Sequence, residues 1–357
     1  MQVFGEKRYN DLNTYLRNRF GTKVYKLALS ASAACPNRDG TCGFGGCIFC
    51  SEGGSGDFAA PIDMDVIDQI VWAKERLRDK LAHEYDTAKY IAYFQSYTNT
   101  YGDIARLERI FTEAAAQPDI CALSIGTRPD CVGDDVIAML ERVKAAAGKP
   151  VWVELGLQTI HEDTARFIRR GYALPVFDDA VERLRAAGLE VIVHVILGLP
   201  GETAADMLET VKYVGNCDIH GIKLQLLHVM KGTELGRMYE AGEVCPAGAV
   251  SENRRIVNDP ADNEKTEMKS GHRYLYISSP EEYIGILTDA LELLPPHIVI
   301  HRLTGDAPHE SLLFPRWSAN KRLTLNGVIR EMKLRDTMQG QLSDRAQAGD
   351  KQETGSR

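Results

Sequence analysis

The sequence predicts an α/β fold, a parallel sheet covered by helices, on three observations. Short apolar or β-rich runs recur along the chain, each is followed by a helical pattern, and the runs are nearly continuous rather than alternating in polarity. Continuous apolar character marks strands buried on both faces, which is the condition of a parallel sheet. In order, a basic segment over 1–22 predicts a helical extension ahead of the first strand. The strands follow as KVYKLALSA (23–31), KYIAYFQ (89–95), ICALSIG (120–126), VWVELGLQT (151–159), EVIVHVILGL (190–199) and GIKLQLLHV (221–229). Between them, DIARLERIFTEAAA and PVFDDAVERLRAAG repeat apolar residues at three and four positions, and Gly188 ends the second. Right-handed crossovers wind such a chain into a barrel or an open doubly wound sheet. A later run, HIVIHRLTG (297–305), is placed to extend the sheet. Residues 245–279 are polar and turn-rich and predict a loop or lid, 319–335 predicts a last helix, and 341–357 predicts a disordered tail.

With 44% hydrophobic and 26% charged residues, the 357-residue composition is that of an ordinary globular protein. No stretch of eighteen apolar residues occurs and MQVFGEKRYN has no apolar leader core, which predicts no membrane span and a cytoplasmic location. In a reducing compartment, crowded cysteines are metal ligands or reactive thiols rather than disulfides. The net charge of −8 is uneven: residues 1–26 and 316–335 together carry +9, leaving −17 on the rest. The basic ends read as solvated helix faces or as an anion-binding face on an acidic protein.

Four of the eight cysteines fall within CPNRDGTCGFGGCIFC (35–50). All four could make a tetrahedral zinc site, although only Cys47 and Cys50 form a CxxC knuckle. Cys42, Cys47 and Cys50 make the Cx4CxxC of a plant-type 2Fe-2S ferredoxin, which needs a fourth cysteine from elsewhere. A third reading takes Cys35, Cys47 and Cys50 as ligands just beyond the first strand.

That third reading is where the chain resembles a known family. The Cx11CxxC loop, with Phe49 inside the last CxxC, is similar to the cluster loop of radical SAM proteins of the YhcC/YtqA type, a branch related to the radical SAM domain of the Elongator catalytic subunit. The resemblance implies a partial (β/α)6 barrel over 23–235, a C-terminal α/β extension over 236–340, and a 4Fe-4S cluster on Cys35, Cys47 and Cys50 whose open iron chelates S-adenosylmethionine. Cys42, where the family has no cysteine, is then a thiol outside the ligand set.

The supporting motifs fall at the C-terminal ends of the predicted strands, where α/β barrels build their sites. Ser96, Tyr97 and Thr98 occupy the place of the family's Gly-Gly-Glu-like turn, from which they depart. Thr127 and Arg128 sit in a TRPD match, and Glu154 and Gln158 in a match to ExGxQS. Arg170 follows Gln158 by twelve residues, and by resemblance pairs with the methionine carboxylate. By resemblance, His194 ahead of GLPGET and Gly198 at its start lie beside the adenosine, while Lys223 and His228 match positions near the substrate. The implied chemistry is reductive cleavage of S-adenosylmethionine to a 5′-deoxyadenosyl radical, with flavodoxin or ferredoxin as electron donor. By the same resemblance the substrate is a tRNA anticodon arm, whose wobble uridine carries the carboxymethylaminomethyl group to be remodelled. A small-metabolite radical enzyme and a non-enzymatic zinc module are the alternatives.

Overall fold

The computed structural model describes residue 4 and residues 7–54, 58–81, 87–247 and 273–343. In chain order the elements are α1 (Leu12–Phe20), β1 (Val24–Leu29), α2 (Val66–Glu75), α3 (Arg78–Leu81), β2 (Lys89–Phe94), α4 (Ile104–Ala116), β3 (Ile120–Thr127), α5 (Asp134–Ala147), β4 (Val151–Gln158), α6 (Glu162–Phe167), α7 (Leu174–Ala186), β5 (Glu190–Leu197), α8 (Ala204–Gly215) and β6 (Gly221–Leu226). Then come β7 (Val229–Met230), α9 (Glu234–Glu240), β8 (Val244–Pro246), β9 (Arg273–Leu275), α10 (Pro280–Leu293), β10 (Val299–Arg302), β11 (Leu312–Phe314) and α11 (Lys321–Leu334). Every predicted strand is present. The sixth stops at Leu226, because Val229 and Met230 turn away to pair antiparallel with β11.

Seven strands form one parallel sheet in the order β1-β2-β3-β4-β5-β6-β10, curled into a half-barrel. The order settles the winding that the strand count leaves open. A doubly wound sheet reverses its direction of growth partway, whereas here each crossover steps the same way, so the helices stay on one face. β10 joins β6, so the C-terminal extension completes the barrel sheet. The predicted lid lies mostly outside the described residues, but its two ends meet as the parallel pair β8 and β9. Of the predicted tail, Leu342 N donates to Glu292 O at 2.9 Å, so residues 341–343 pack on α10; the remainder lies outside the described residues.

Alternation along the strands separates two faces. Leu27, Phe94, Ile125, Val153, Leu155, Val193, Val195 and Leu224 point outward into the core under the helices. The inward residues nearest the strand starts, Val24, Ile91, Ala122, Trp152 and Ile192, form a second apolar cluster with Leu16 of α1. The predicted N-terminal helix therefore plugs the lower end of the half-barrel. Asp11 caps it, and Arg19 pairs with Glu190 at the first residue of β5, at 2.8 Å. Lys7 pairs with Asp11 at 2.7 Å and Arg8 with Asp336 at 2.8 Å. Lys7, Arg8 and Arg19 are thus paired within the chain, a strand length of about 20–25 Å from the upper end. On α11, by contrast, Arg322, Arg330 and Lys333 are exposed and make no ion pair with a described residue.

Candidate active site at the upper end of the half-barrel

The cysteine loop folds on itself through its own backbone. Arg38 N donates to Cys35 O at 2.8 Å, Cys42 N to Pro36 O at 2.8 Å, Gly46 N to Asn37 O at 2.8 Å and Cys50 N to Cys47 O at 3.0 Å. Asn37, 3% exposed, pins the loop: its amide donates to Arg169 O at 2.6 Å and approaches the Cys47 sulfur at 3.5 Å. A side chain at Gly43 would meet Asn37 Oδ1 at 2.4 Å, so only glycine fits there. Cys35, Cys47 and Cys50 are half-buried. Burial first, then the neighbouring Cys50 and Cys35 sulfurs, push the Cys47 thiol up to about 12. A bare thiolate is therefore disfavoured at Cys47, and a bound metal would reverse that penalty.

Among the described residues, no three cysteine sulfurs lie within 4.8 Å of one another. A single tetrahedral zinc, with Zn–S of about 2.3 Å, would hold its sulfurs roughly 3.8 Å apart. The donor set thus suits a group wider than one ion. Cys42 is turned to other partners: it is exposed, 3.7 Å from Arg128 Nη2 and 4.0 Å from Asp130 Oδ2. Arg128 grips Asp130 with two parallel bonds of 2.8 and 2.7 Å.

The strand-end residues divide into those that brace loops and those that face open space. Ser96 shares a 2.7 Å hydrogen bond with Ser30, Thr98 N donates to Ala34 O at 3.3 Å, and Thr127 bonds Thr100 at 2.6 Å, all buried. Tyr97, at φ +55, packs over Gly54 and bonds the Glu52 carbonyl. The brace that joins these loops escaped the sequence reading. Asn99, fully buried, accepts from Ala31 N and donates to Ser96 O and Gly126 O, each at 3.0 Å.

Arg170, which the resemblance pairs with the methionine carboxylate, also braces the loops around it. Only 1% exposed, it donates to Tyr172 O at 3.0 Å, Leu157 O at 3.3 Å, Thr159 O at 2.5 Å and Glu162 Oε1 at 3.1 Å. Four bonds leave little of its five-donor fork for a ligand. Gly198 has φ +86, as a glycine turn requires, but the space beside it is filled by Ile277, 3.3 Å from where a Cβ would stand. Gln158 behaves differently. At φ +71 its side chain folds back over Gly156, where a Cβ would come within 2.9 Å of the amide, and its buried Oε1 has no partner among the described residues. The glycine of ExGxQ makes room for that amide.

Beneath lies a polar layer on the inward face. Glu154, fully buried, accepts from Ser124 at 2.6 Å, Lys26 at 3.3 Å, His194 Nε2 at 2.7 Å and Lys223. Lys223 also donates to the Tyr93 hydroxyl at 2.8 Å. Burial alone would raise the Glu154 carboxyl, but Lys223 and Lys26 hold it well below its usual range. Burial, reinforced by the charge of Lys223, pushes His194 down to about 4, so it is neutral at pH 7. Lys223 is thus a buried member of this network, while His228 lines the cavity above it.

That cavity, of roughly 220 Å³, is walled by Phe49 and Ser51 of the cysteine loop, Gln95, Gln158, His194 and His228 at the strand ends, and Arg302 with the following turn. A cysteine loop opening onto a polar cavity at the carboxyl ends of parallel strands defines a cofactor-dependent α/β half-barrel. The model of the Radical SAM superfamily matches residues 35–214 and that of the Radical_SAM C-terminal domain matches 266–334. The chain belongs to the radical SAM superfamily, whose members bind a 4Fe-4S cluster and S-adenosylmethionine. It is 39% identical over 340 residues to the uncharacterized protein YtqA of Bacillus subtilis, covering 95% of this chain and 94% of that one. Over 128 residues, 35% of this chain and 23% of the relative, it is 32% identical to a tRNA uridine(34) acetyltransferase of Methanocaldococcus jannaschii. Among solved structures, the archaeal Elp3 of Methanocaldococcus infernus shares the fold with a TM-score of 0.59 at 17% identity, over 88% of this chain and 64% of that one. No helix among the described residues is long and apolar enough to cross a membrane.

Proposed function

We propose that this radical SAM enzyme remodels the carboxymethylaminomethyl group of the tRNA wobble uridine in the cytoplasm, with flavodoxin or ferredoxin as electron donor. In this reading Cys35, Cys47 and Cys50 hold the cluster and Cys42 stays with Arg128 and Asp130. When bound, the cluster and S-adenosylmethionine supply the hydrogen-abstracting radical that side-chain acids and bases cannot. The chain's own part is to place and shelter. Gln158, with its unpartnered Oε1, offers an acceptor to the cofactor side of the cavity, and Glu154 with His194 supports that wall from below.

The observation that carries the RNA reading is the position of α11. Its first residue, Lys321, pairs with Asp306 in the cavity wall, so a basic face begins at the mouth and continues through Arg322 and Arg330. Phosphate neutralisation by such a face would hold an anticodon arm with one base over the cavity. The local likeness to the tRNA uridine(34) acetyltransferase agrees with that substrate.

The test is anaerobic incubation of the reconstituted protein with reductant, S-adenosylmethionine and tRNA from cells lacking the gene, followed by mass spectrometry of the nucleosides. Loss of the carboxymethylaminomethyl nucleoside with a matching product is expected. An unchanged nucleoside profile alongside active cofactor cleavage would turn the reading toward a small metabolite.

A further inference from the structure

The cavity wall formed by β10 and the turn after it has charges that do not balance. Arg302 stands close enough to act on Lys26, Lys223 and Lys321, and each is pushed down by burial first with Arg302 adding to the push. The carboxylates paired with these cations among the described residues are Glu154 and Asp306. Glu154 is already shared by two lysines, Ser124 and His194. Asp306 is engaged by Lys321, and its other oxygen is 3.9 Å from Arg302 Nη2, beyond hydrogen-bond reach.

The guanidinium of Arg302, one-third exposed, therefore makes no hydrogen bond to a described residue while lining the cavity. A five-donor fork left open among like charges is completed by an anion, and a planar fork fits a carboxylate through two parallel bonds. His228, lining the same wall, leaves its buried Nε2 without a partner among the described residues.

We infer that Arg302 is the acid-reading residue of the cavity, binding the carboxylate of the substrate group with Lys321 reinforcing it from the rim. The inference rests on the proposed wobble substrate and names the end of that group which the enzyme recognises. It also separates this carboxylate from that of S-adenosylmethionine, a second source of the same chemistry.

The test uses the full chain with its cluster reconstituted, saturated with S-adenosylmethionine and without reductant. Three anticodon stem-loops are compared in binding: one with the carboxymethylaminomethyl group, one with that group as its primary amide, and one with plain uridine. The acid should bind about 10- to 100-fold more tightly than the amide, the worth of a charge-assisted pair. Arg302→Gln should bring acid and amide together, Arg302→Lys should restore part of the difference, and affinity for S-adenosylmethionine should not change. Acid and amide binding alike, both tighter than plain uridine, overturns the acid reader and leaves the wobble substrate standing.

Three stem-loops binding alike would remove the wobble substrate, and malonate then tests the acid site by itself. Carbon-13 line broadening of malonate that is lost in Arg302→Gln upholds the site. Broadening equal in both proteins, or absent from the wild type, overturns it. Weaker binding of S-adenosylmethionine by Arg302→Gln would assign the guanidinium to the cofactor's carboxylate and likewise overturn the inference.

Discussion

Trp152 and Gln158 belong to one strand, six residues apart, and stand in opposite circumstances. Trp152 is fully buried between Val24, Ile91, Ala122 and Ile192 under α1, and its indole N–H bonds Glu190 at 2.5 Å. Gln158 adopts a left-handed backbone and leaves a buried oxygen unpartnered. The lower end of the half-barrel is filled by the chain itself, through α1 and the Arg19–Glu190 pair, whereas the upper end opens into the cavity. Buried polar groups without partners are costly, and among the described residues they occur at both ends: His301 stands edge-on to Trp152 at the lower end, while Gln158 and His228 differ in lining the cavity, where a ligand could meet them.

The largest effect that sharpens this contrast concerns the cysteine loop. Serine at Cys35, Cys47 or Cys50 should abolish iron binding and cofactor cleavage outright, while Cys42→Ser should keep both, measured by iron and sulfide analysis after anaerobic reconstitution. A Cys42 variant without iron would show that the contact with Arg128 and Asp130 is not its resting place. Next in size, Trp152→Ala should cost about 3–5 kcal/mol in urea unfolding, as truncation of a large buried aromatic does. Gln158→Ala should stay within about 1 kcal/mol of wild type and yet lose cofactor or substrate affinity. Equal stability losses would erase the distinction between the two ends.

The two basic segments break along the same line. Reversing Arg17 and Arg19 to Glu should leave tRNA affinity unchanged, because they lie at the plugged end. Reversing Lys321 and Arg322 should weaken tRNA binding and reduce the log-log salt slope by about 1 to 2, the share of two phosphate contacts. A loss on reversing Arg17 and Arg19 equal to that on reversing Lys321 and Arg322 would place the RNA across both ends.

How far the sequence foretells this molecule follows from the range of its signals. The strands are legible because both faces are buried, so runs such as VWVELGLQ are without polar side chains apart from Glu154 and the terminal Gln158. The cysteine loop is legible because its spacing is local. The bracing by Arg170 is not legible because sequence shows that an arginine follows Gln158 but not that the carbonyls of Leu157 and Thr159 bend back to receive it. Arg302 and Asn99 went unnoticed because their importance lies in partners, or the lack of them, contributed by distant segments. Charge counting likewise found two basic ends but could not show that Glu190 and Asp336 neutralise much of the first.

The smallest expected effect tests the cavity wall through its protons. Burial, then the charges of Lys321 and Arg302, hold His228 down to about 4, whereas an unfolded histidine titrates near 6.5. Between pH 6.5 and 4 the unfolded chain takes up a proton that the fold refuses, so stability rises with pH across that window and is lost on acidification. Each such histidine contributes a slope of up to about 1.4 kcal/mol per pH unit. His194, also near 4, adds with the same sign, so His228→Asn should flatten the wild-type slope by one proton's share without abolishing it. Urea melts between pH 4.5 and 6.5 read this directly. Coincident slopes would mean that His228 takes up its proton as readily in the fold as outside it, which the cationic wall around Arg302 forbids. An acid seated on Arg302 would relieve that repulsion, so saturating malonate should shift the His228 contribution toward higher pH in wild type and leave it unmoved in Arg302→Gln.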